Sequence, residues 1–210
     1  GIHHYVSTIS TACSSSANAI MLGTRLIKAN QLDVVIAGGV DALTRFTLNG
    51  FNSLMILDKN QCKPLDQDRQ GLNLGEGAAY VLLLNKKALT FLGLSSSVVV
   101  SGYSNSNDSY HQTALSDDGQ GPFLAMQGAI KKANILPGQI DYINMHGTGT
   151  QNNDQAESQA VKNLFQDNIP PLSSTKSFTG HTLGASGAVE AVISVLAIQH
   201  HFIPPNYHFN

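Results

Sequence analysis

Cys13 stands in a run of small residues, Ile9-Ser10-Thr11-Ala12-Cys13-Ser14-Ser15-Ser16. A strand-like run over 5–11 leads into it and a helix-like run over 15–29 leads out. The thiol is therefore expected at a strand-to-helix turn. A helix start presents unpaired N–H groups and the positive end of the helix dipole. A thiol placed there can have a lowered pKa, which favours the nucleophilic thiolate. Ala12, Ser14 and Ser15 leave room for a substrate to approach. The plainer reading is a small buried core residue. The choice turns on whether the rest of the chain supplies partners for a thiolate.

Two histidines sit at comparable places. His146 follows the strand-like run 140–145 and precedes Gly147-Thr148-Gly149-Thr150. Ligands of open α/β sheets bind beyond the carboxyl ends of strands, so His146 is placed to act as acid, base or hydrogen-bond donor. His181 lies in a turn of glycines and small residues, Gly180-His181-Thr182-Leu183-Gly184-Ala185-Ser186-Gly187, before an apolar helix. Lys176, upstream of it, is the one charge in its segment. Such a lysine either snorkels or is paired. Glu190, on the apolar helix, is the obvious partner, because a charge on such a helix needs one; a purely structural Lys–Glu pair is the competing reading. The other histidines are His3, His4, His111, His200, His201 and His208. Adjacent His200 and His201 point to different faces of a helix, and no cysteine or carboxylate stands at ligand spacing, so no metal is expected. Cys62 lies in a polar loop and reads as incidental. The glycines of 71–77 lack the strand–loop–helix setting of a phosphate-binding loop.

The elements that must position these residues alternate. The apolar runs 34–40 and 78–84 read as buried strands, and the first, following a helix, suggests a strand–helix–strand unit with a parallel sheet. Between them, 63–77 is a long Gly- and Asp-rich loop of the kind that is often functional. Composition shifts to Gly and Ser over 92–97, which sets a boundary between 1–95 and 96–210. A second series follows: a strand over 98–103, a helix over 123–133 with Pro122 in its first turn, the strand 140–145, a helix over 154–165 capped by Asn152 or Asn153, and an apolar, buried helix from 183 or 184 to 199. Two successive α/β halves imply a layered α/β/α architecture.

Composition narrows the function. The 210 residues carry a formal charge of −2 and only 12% charged residues, against a usual share of about 25%. A surface so poor in charge suggests that much of it is covered by a partner subunit. Nucleic acid is not the expected ligand, since no Lys/Arg cluster is available for phosphates. Two cysteines make no disulfide framework and suit a reducing, cytoplasmic setting. No apolar run reads as a membrane span. The chain opens on Gly1 and closes on Pro204-Pro205-Asn206-Tyr207-His208-Phe209-Asn210, which reads as a piece of a longer protein.

Thr11-Ala12-Cys13-Ser14-Ser15, His146-Gly147-Thr148-Gly149-Thr150 and 180–187, in that order, resemble the decarboxylating β-ketoacyl-acyl-carrier-protein synthases, and the elongating ones in particular. Supporting matches are 35–39, 64–77, Asp154 through Glu157 and Ser174-Thr175-Lys176-Ser177. The resemblance implies a thiolase-like layered α/β/α/β/α fold made of two similar halves, here truncated at both ends. Residues 1–95 would be the C-terminal part of the first half and 96–210 the second half without its last strands. It further implies that Cys13 takes an acyl chain from a carrier-protein thioester, that His146 and His181 face it, and that Lys176 and Glu190 hold the site together. Thr148 and Thr150 would contact the phosphopantetheine arm, with Asp154 in support. No cofactor is implied. The partners are acyl carrier protein and a second copy of the chain.

The chemistry agrees with the likeness. Acyl transfer followed by carbon–carbon bond formation makes two easier steps from one. Decarboxylation of a malonyl thioester leaves an enolate whose oxygen needs hydrogen-bond donors. Thiolases use a second cysteine late in the chain as base, and nothing here matches it. Starter-type synthases have asparagine where His181 stands. Two rivals are a partner subunit that shapes the pocket of a heterodimer, which Cys13 argues against, and a cysteine acyltransferase that does not decarboxylate, which leaves His181 without a task. Phe51, Leu54 and Met55 are candidates for an acyl pocket or plain core. The family's segments before the nucleophile strand and its Gly-rich C-terminal segment are not among these residues, so the 210 residues alone are expected to be weak or inactive in condensation.

Overall fold

The computed structural model describes residues 5–110 and 115–207; His3, His4, His111 and His208 lie outside them. The elements run α1 (Ser15–Lys28), β1 (Val34–Asp41), α2 (Arg45–Ser53), β2 (Gly77–Leu84), α3 (Lys86–Phe91), α4 (Gln120–Ala133), β3 (Ile143–Asn144), α5 (Gln151–Phe165), β4 (Leu172–Ser173), α6 (Lys176–Thr179) and α7 (Ser186–His200). α1 ends on Arg25 and Lys28, cations that suit a helix C-terminus. α2 is capped by the Thr44 side chain accepting from Thr47 N, and α3 by Asn85 accepting from Ala88 N.

β1 and β2 pair antiparallel, with Val34 opposite Leu84 and Asp41 opposite Gly77. This corrects the expected parallel unit. The run 5–11 carries no strand beyond a single bridge between Thr11 and Cys13, so β1 takes its neighbour from later in the chain. Residues 98–103 are likewise irregular. A strand exists only where a neighbour accepts its hydrogen bonds, and neither run has one among the described residues. β1 and β2 are also not buried on both faces. One face packs on α1, where a side chain at Gly23 would meet Val35, Leu83 and Ala37. The other leaves Ile36, Val40, Tyr80 and Leu82 each more than half exposed.

α7 lies across α1, β1 and β2. The approach is close: Ala188 N donates to Ser16 Oγ at 2.9 Å, and a Cβ at Gly39 would stand 2.7 Å from Gly184 O and 2.8 Å from Ser16 Cβ. The helix is less enclosed than its composition suggests. Only Ser186, Ala188 and Ala197 are buried, and Leu196 and Ile198 are exposed. Leu183–His200 is long and apolar enough to cross a membrane by length and composition, contrary to the sequence expectation. Its packing on a sheet and the ion pair at Glu190 are those of a core helix.

The second core gathers Met145, Val161 and Phe165, with Met126 and Ile130 of α4 and Leu172 of β4 around them. β3 and β4 pair parallel, Ile143 opposite Leu172 and Asn144 opposite Ser173. The strand expected over 140–145 contracts to two residues. α5 begins at Gln151 with Thr150 as its cap position and no side-chain cap. Asn152, expected as the cap, instead bonds the Leu115 carbonyl and accepts from Leu115 N.

Candidate active site

Cys13 is delivered by a braced elbow. Ala12, just before it, takes φ +52, a conformation that non-glycine residues rarely adopt. Ser14 Oγ donates to Thr11 O at 2.8 Å, Ser15 Oγ donates to Ala12 O, and Thr11 N donates back to Ser15 Oγ. These bonds hold the elbow against its strain. His181 arrives from the other end of the chain. Its backbone N donates to Asn73 O at 2.7 Å and its carbonyl accepts from Gly75 N at 3.0 Å, so the long loop before β2 clamps it on both sides.

The result places His181 Nε2 3.0 Å from Cys13 Sγ. The His146 and His181 rings meet edge to face with centroids 5.1 Å apart. His181 is buried, while Cys13 and His146 are partly exposed. All three sequence-predicted residues therefore come together, although each arrives on a different element. One ring nitrogen from each histidine and the Cys13 sulfur lie within 4.8 Å of one another. That is a donor set a metal could take, and one that sequence spacing missed because its members are far apart along the chain.

The electrostatics revise one expectation. The Cys13 thiol is pushed up, not down: burial outweighs the Lys176 ammonium and Cys13's own backbone N–H, which both pull it lower. Burial also holds both imidazoles neutral. His181 is lowered from its ordinary 6.5 to about 3, by burial and then by Lys176. His146 falls well below its usual value through burial, Lys176 and His181. The Cys13 and His181 shifts both favour a neutral thiol beside a neutral imidazole.

Lys176 is buried and makes the expected ion pair with Glu190. Its Nζ also donates to His146 O at 2.5 Å. Burial pushes Glu190 up, while Lys176 and Ser186 hold it down. Ser186 Oγ stands 3.2 Å from Glu190 Oε1 and 3.4 Å from His181 Nδ1, linking the ion pair to the imidazole. Thr148 and Thr150 bond each other through their hydroxyls at 2.8 Å, and Thr148 is buried. Asp154 accepts from Thr148 N and Gly149 N and, with its other oxygen, from Leu65 N at 2.7 Å. It ties the turn after His146 to the 63–77 loop.

Two residues gain a place that their sequence positions did not suggest. Glu157, one turn after Asp154 on α5, accepts from His146 N at 2.6 Å and Gly147 N at 2.8 Å. Burial raises its carboxyl to about 7, although both N–H groups pull it down. The Asp154-to-Glu157 spacing was the available signal, since it puts both carboxylates on one face of a helix start. Cys62 is not incidental. It is 1% exposed, and its Sγ donates to Lys176 O at 3.5 Å. Phe51, Leu54 and Met55 do not line the groove beside α2. That groove is lined by Leu43, Leu48, Leu57, Leu72 and Leu74 with Thr44, Arg45, Asp58 and Asn73 among them, and Leu74 bridges to His181.

The chain resembles known proteins along nearly its whole length. The chain is 41% identical over 208 residues to a 3-oxoacyl-[acyl-carrier-protein] synthase 2 of Rhizobium meliloti, covering 94% of this chain and 49% of that protein. Among solved structures, the ketosynthase ApeO of Xenorhabdus doucetiae, in complex with its chain length factor ApeC, matches with a TM-score of 0.88 and 43% identity, covering 95% of this chain and 48% of that one. The AntDE:AntF assembly, a type II polyketide acyl-carrier protein in complex with its ketosynthase, matches with a TM-score of 0.92 and 30% identity, over 96% and 52%. These ketosynthases carry the thiolase-like layered fold, and this chain shares it. The chain spans about half the length of the relatives it matches. Residues 1–88 match "Beta-ketoacyl synthase, N-terminal domain" and 97–210 match "Beta-ketoacyl synthase, C-terminal domain". Cys13 falls in the first match and His146 and His181 in the second, in one unbroken order, and the chain belongs to the beta-ketoacyl synthase family.

Proposed function

We propose that the protein is a 3-oxoacyl-acyl-carrier-protein synthase that extends a Cys13-bound acyl chain with malonyl-carrier protein. The observation that carries this reading is the 3.0 Å approach of His181 Nε2 to Cys13 Sγ, with His146 edge-on beside it. In the first step Cys13 sulfur attacks the acyl thioester, its proton passes to His181, and the carrier thiol leaves protonated. With the Ser186 hydroxyl donating to Glu190, its oxygen accepts Nδ1–H of His181, which leaves Nε2 free to take that proton. In the second step the malonyl carboxylate departs as carbon dioxide. The resulting enolate oxygen accepts from N–H groups of the two imidazoles, His181 now carrying its proton on Nε2 while the Ser186 hydroxyl turns to donate to Nδ1, and the enolate carbon attacks the Cys13 acyl carbonyl. The acyl–sulfur bond breaks, and Cys13 regains its thiol by taking up a proton.

Lys176 acts through its bonds to His146 O and Glu190, as a positioning residue, and Asp154 shapes the turn. Thr148 and Thr150 are assigned to the phosphopantetheine arm of the carrier. The electrophile is already a thioester and the carbon nucleophile is released by decarboxylation, so no cofactor is needed. Acyl carrier protein is the proposed partner, supported by the AntDE:AntF assembly of a relative. A homodimer, a cytoplasmic setting and a role in fatty acid or polyketide-type synthesis complete the reading. A partner subunit that only shapes a pocket has no use for a thiol held against an imidazole.

The test separates the two steps. Cys13→Ser is expected to abolish acyl loading from a carrier thioester. His181→Ala should lower condensation by about 10²–10³-fold, the cost of losing one donor to a developing oxyanion, and should slow loading without abolishing it. Equal loss of loading in both variants contradicts the role given to His181.

A further inference from the structure

Cys13, His146 and His181 offer one thiol and two imidazoles whose ligand atoms lie within 4.8 Å of one another. A sulfur and two nitrogens are the donors that zinc and its thiophilic neighbours prefer, whereas magnesium and calcium seek oxygen. Three protein ligands with an open fourth position is also a common zinc arrangement. With Zn–S near 2.3 Å and Zn–N near 2.0–2.1 Å, tetrahedral ligation separates sulfur and nitrogen by about 3.5 Å. Cys13 Sγ and His181 Nε2 are 3.0 Å apart, so the pair needs to open by only about half an ångström.

The ligands are also held in advance. Cys13 is fixed by the bonds across its elbow, and His181 by Asn73 and Gly75. The His146 main chain is held by Glu157 beneath it and by Lys176 on its carbonyl. Charge does not forbid a cation. The Lys176 ammonium is answered by Glu190, and the Glu157 carboxyl lies on the other side of the His146–Gly147 peptide.

We propose that this trio is a binding site for a zinc-class divalent cation and that the metal competes with acyl loading. The site is that of the condensation proposed above, and the competition, though not the binding, rests on that reading. Binding replaces the thiol proton: Cys13–SH and Zn2+ give the Cys13 thiolate–Zn2+ bond and one released H+. Each histidine contributes a nitrogen lone pair and keeps its other N–H. A metal-bound thiolate is shielded from the thioester, so the metal holds the protein unacylated.

Cobalt(II) titrated into the full chain reads the binding without any substrate. The expected result is a one-to-one complex with a thiolate-to-cobalt charge-transfer band, displaced by zinc. Cys13→Ser should remove the band, and His181→Gln should weaken binding by more than about tenfold; circular dichroism checks that both variants fold. On the unaltered protein, equimolar zinc should protect Cys13 from iodoacetamide, and EDTA should restore the reaction. A band that survives in folded Cys13→Ser, the lack of a one-to-one complex, or unprotected Cys13 overturns the proposal. A chain that binds zinc through Cys13 but takes no acyl group from a carrier thioester keeps the metal site and loses the synthase reading. One that condenses undisturbed by equimolar zinc and shows no band does the reverse.

Discussion

At the residue scale, the site is a neutral cluster kept neutral by burial. His181 titrates at about 3 in the folded protein against an ordinary 6.5. Between those values the unfolded chain binds a proton that the folded chain refuses, so stability falls as pH drops through that window. His181→Gln removes the difference. Urea midpoints at about pH 7.5 and pH 5 should therefore lie closer together in the variant than in the parent. Glu157 works in the opposite sense: its carboxyl is raised to about 7 from 4.5, so its contribution declines as pH rises through that range. Its structural task is to pair the two N–H groups at His146 and Gly147. Glu157→Ala leaves both unpaired, which should lower the unfolding free energy by about 1–3 kcal/mol and lower condensation through the displaced His146. Cys13, His146 and His181, which the fold brings together, were legible as candidates in the sequence because each sits in a short run of small residues. Glu157 and Cys62 were not, because what makes them matter is a backbone group contributed by a distant segment.

At the scale of elements, helices were easier to read than strands. The apolar spacing of α1, α4 and α7 is a property of the segment itself. Residues 5–11 and 98–103 have strand-like composition but no strand paired beside them among the described residues, and pairing is what turns such a run into a strand. The antiparallel register of β1 with β2 was hidden for the same reason. Contact between β1, α1 and the turn before α7 depends on the missing side chain at Gly39. A Cβ there meets Gly184 O at 2.7 Å and Ser16 Cβ at 2.8 Å. Gly39→Ala should lower stability by about 1–3 kcal/mol, as overpacking a tight contact does. It should also slow acylation of Cys13, since Ser16 and Gly184 neighbour the two halves of the site. A denaturant curve together with an acylation rate checks both.

At the scale of the whole molecule, the low charge content finds its counterpart in open apolar surface. Ile36, Val40, Tyr80 and Leu82 are exposed on one face of β1–β2, and Leu196 and Ile198 on α7. Contiguous apolar faces of this kind mark surfaces that associate. The isolated 210 residues are expected to self-associate with concentration in sedimentation velocity, and Ile36→Lys with Leu82→Lys should reduce that association. An unchanged profile contradicts the assignment of this face.

The central claim is that Cys13 is a nucleophile activated by His181, a residue from the other half of the chain. Intact mass after exposure to an acyl-carrier thioester, followed by mapping of the adduct, reads this directly. The predicted result is a single acyl group on Cys13, none on Cys62, and slower transfer in His181→Ala. Acylation that falls equally on Cys62, or proceeds on Cys13 at the same rate in His181→Ala, contradicts it.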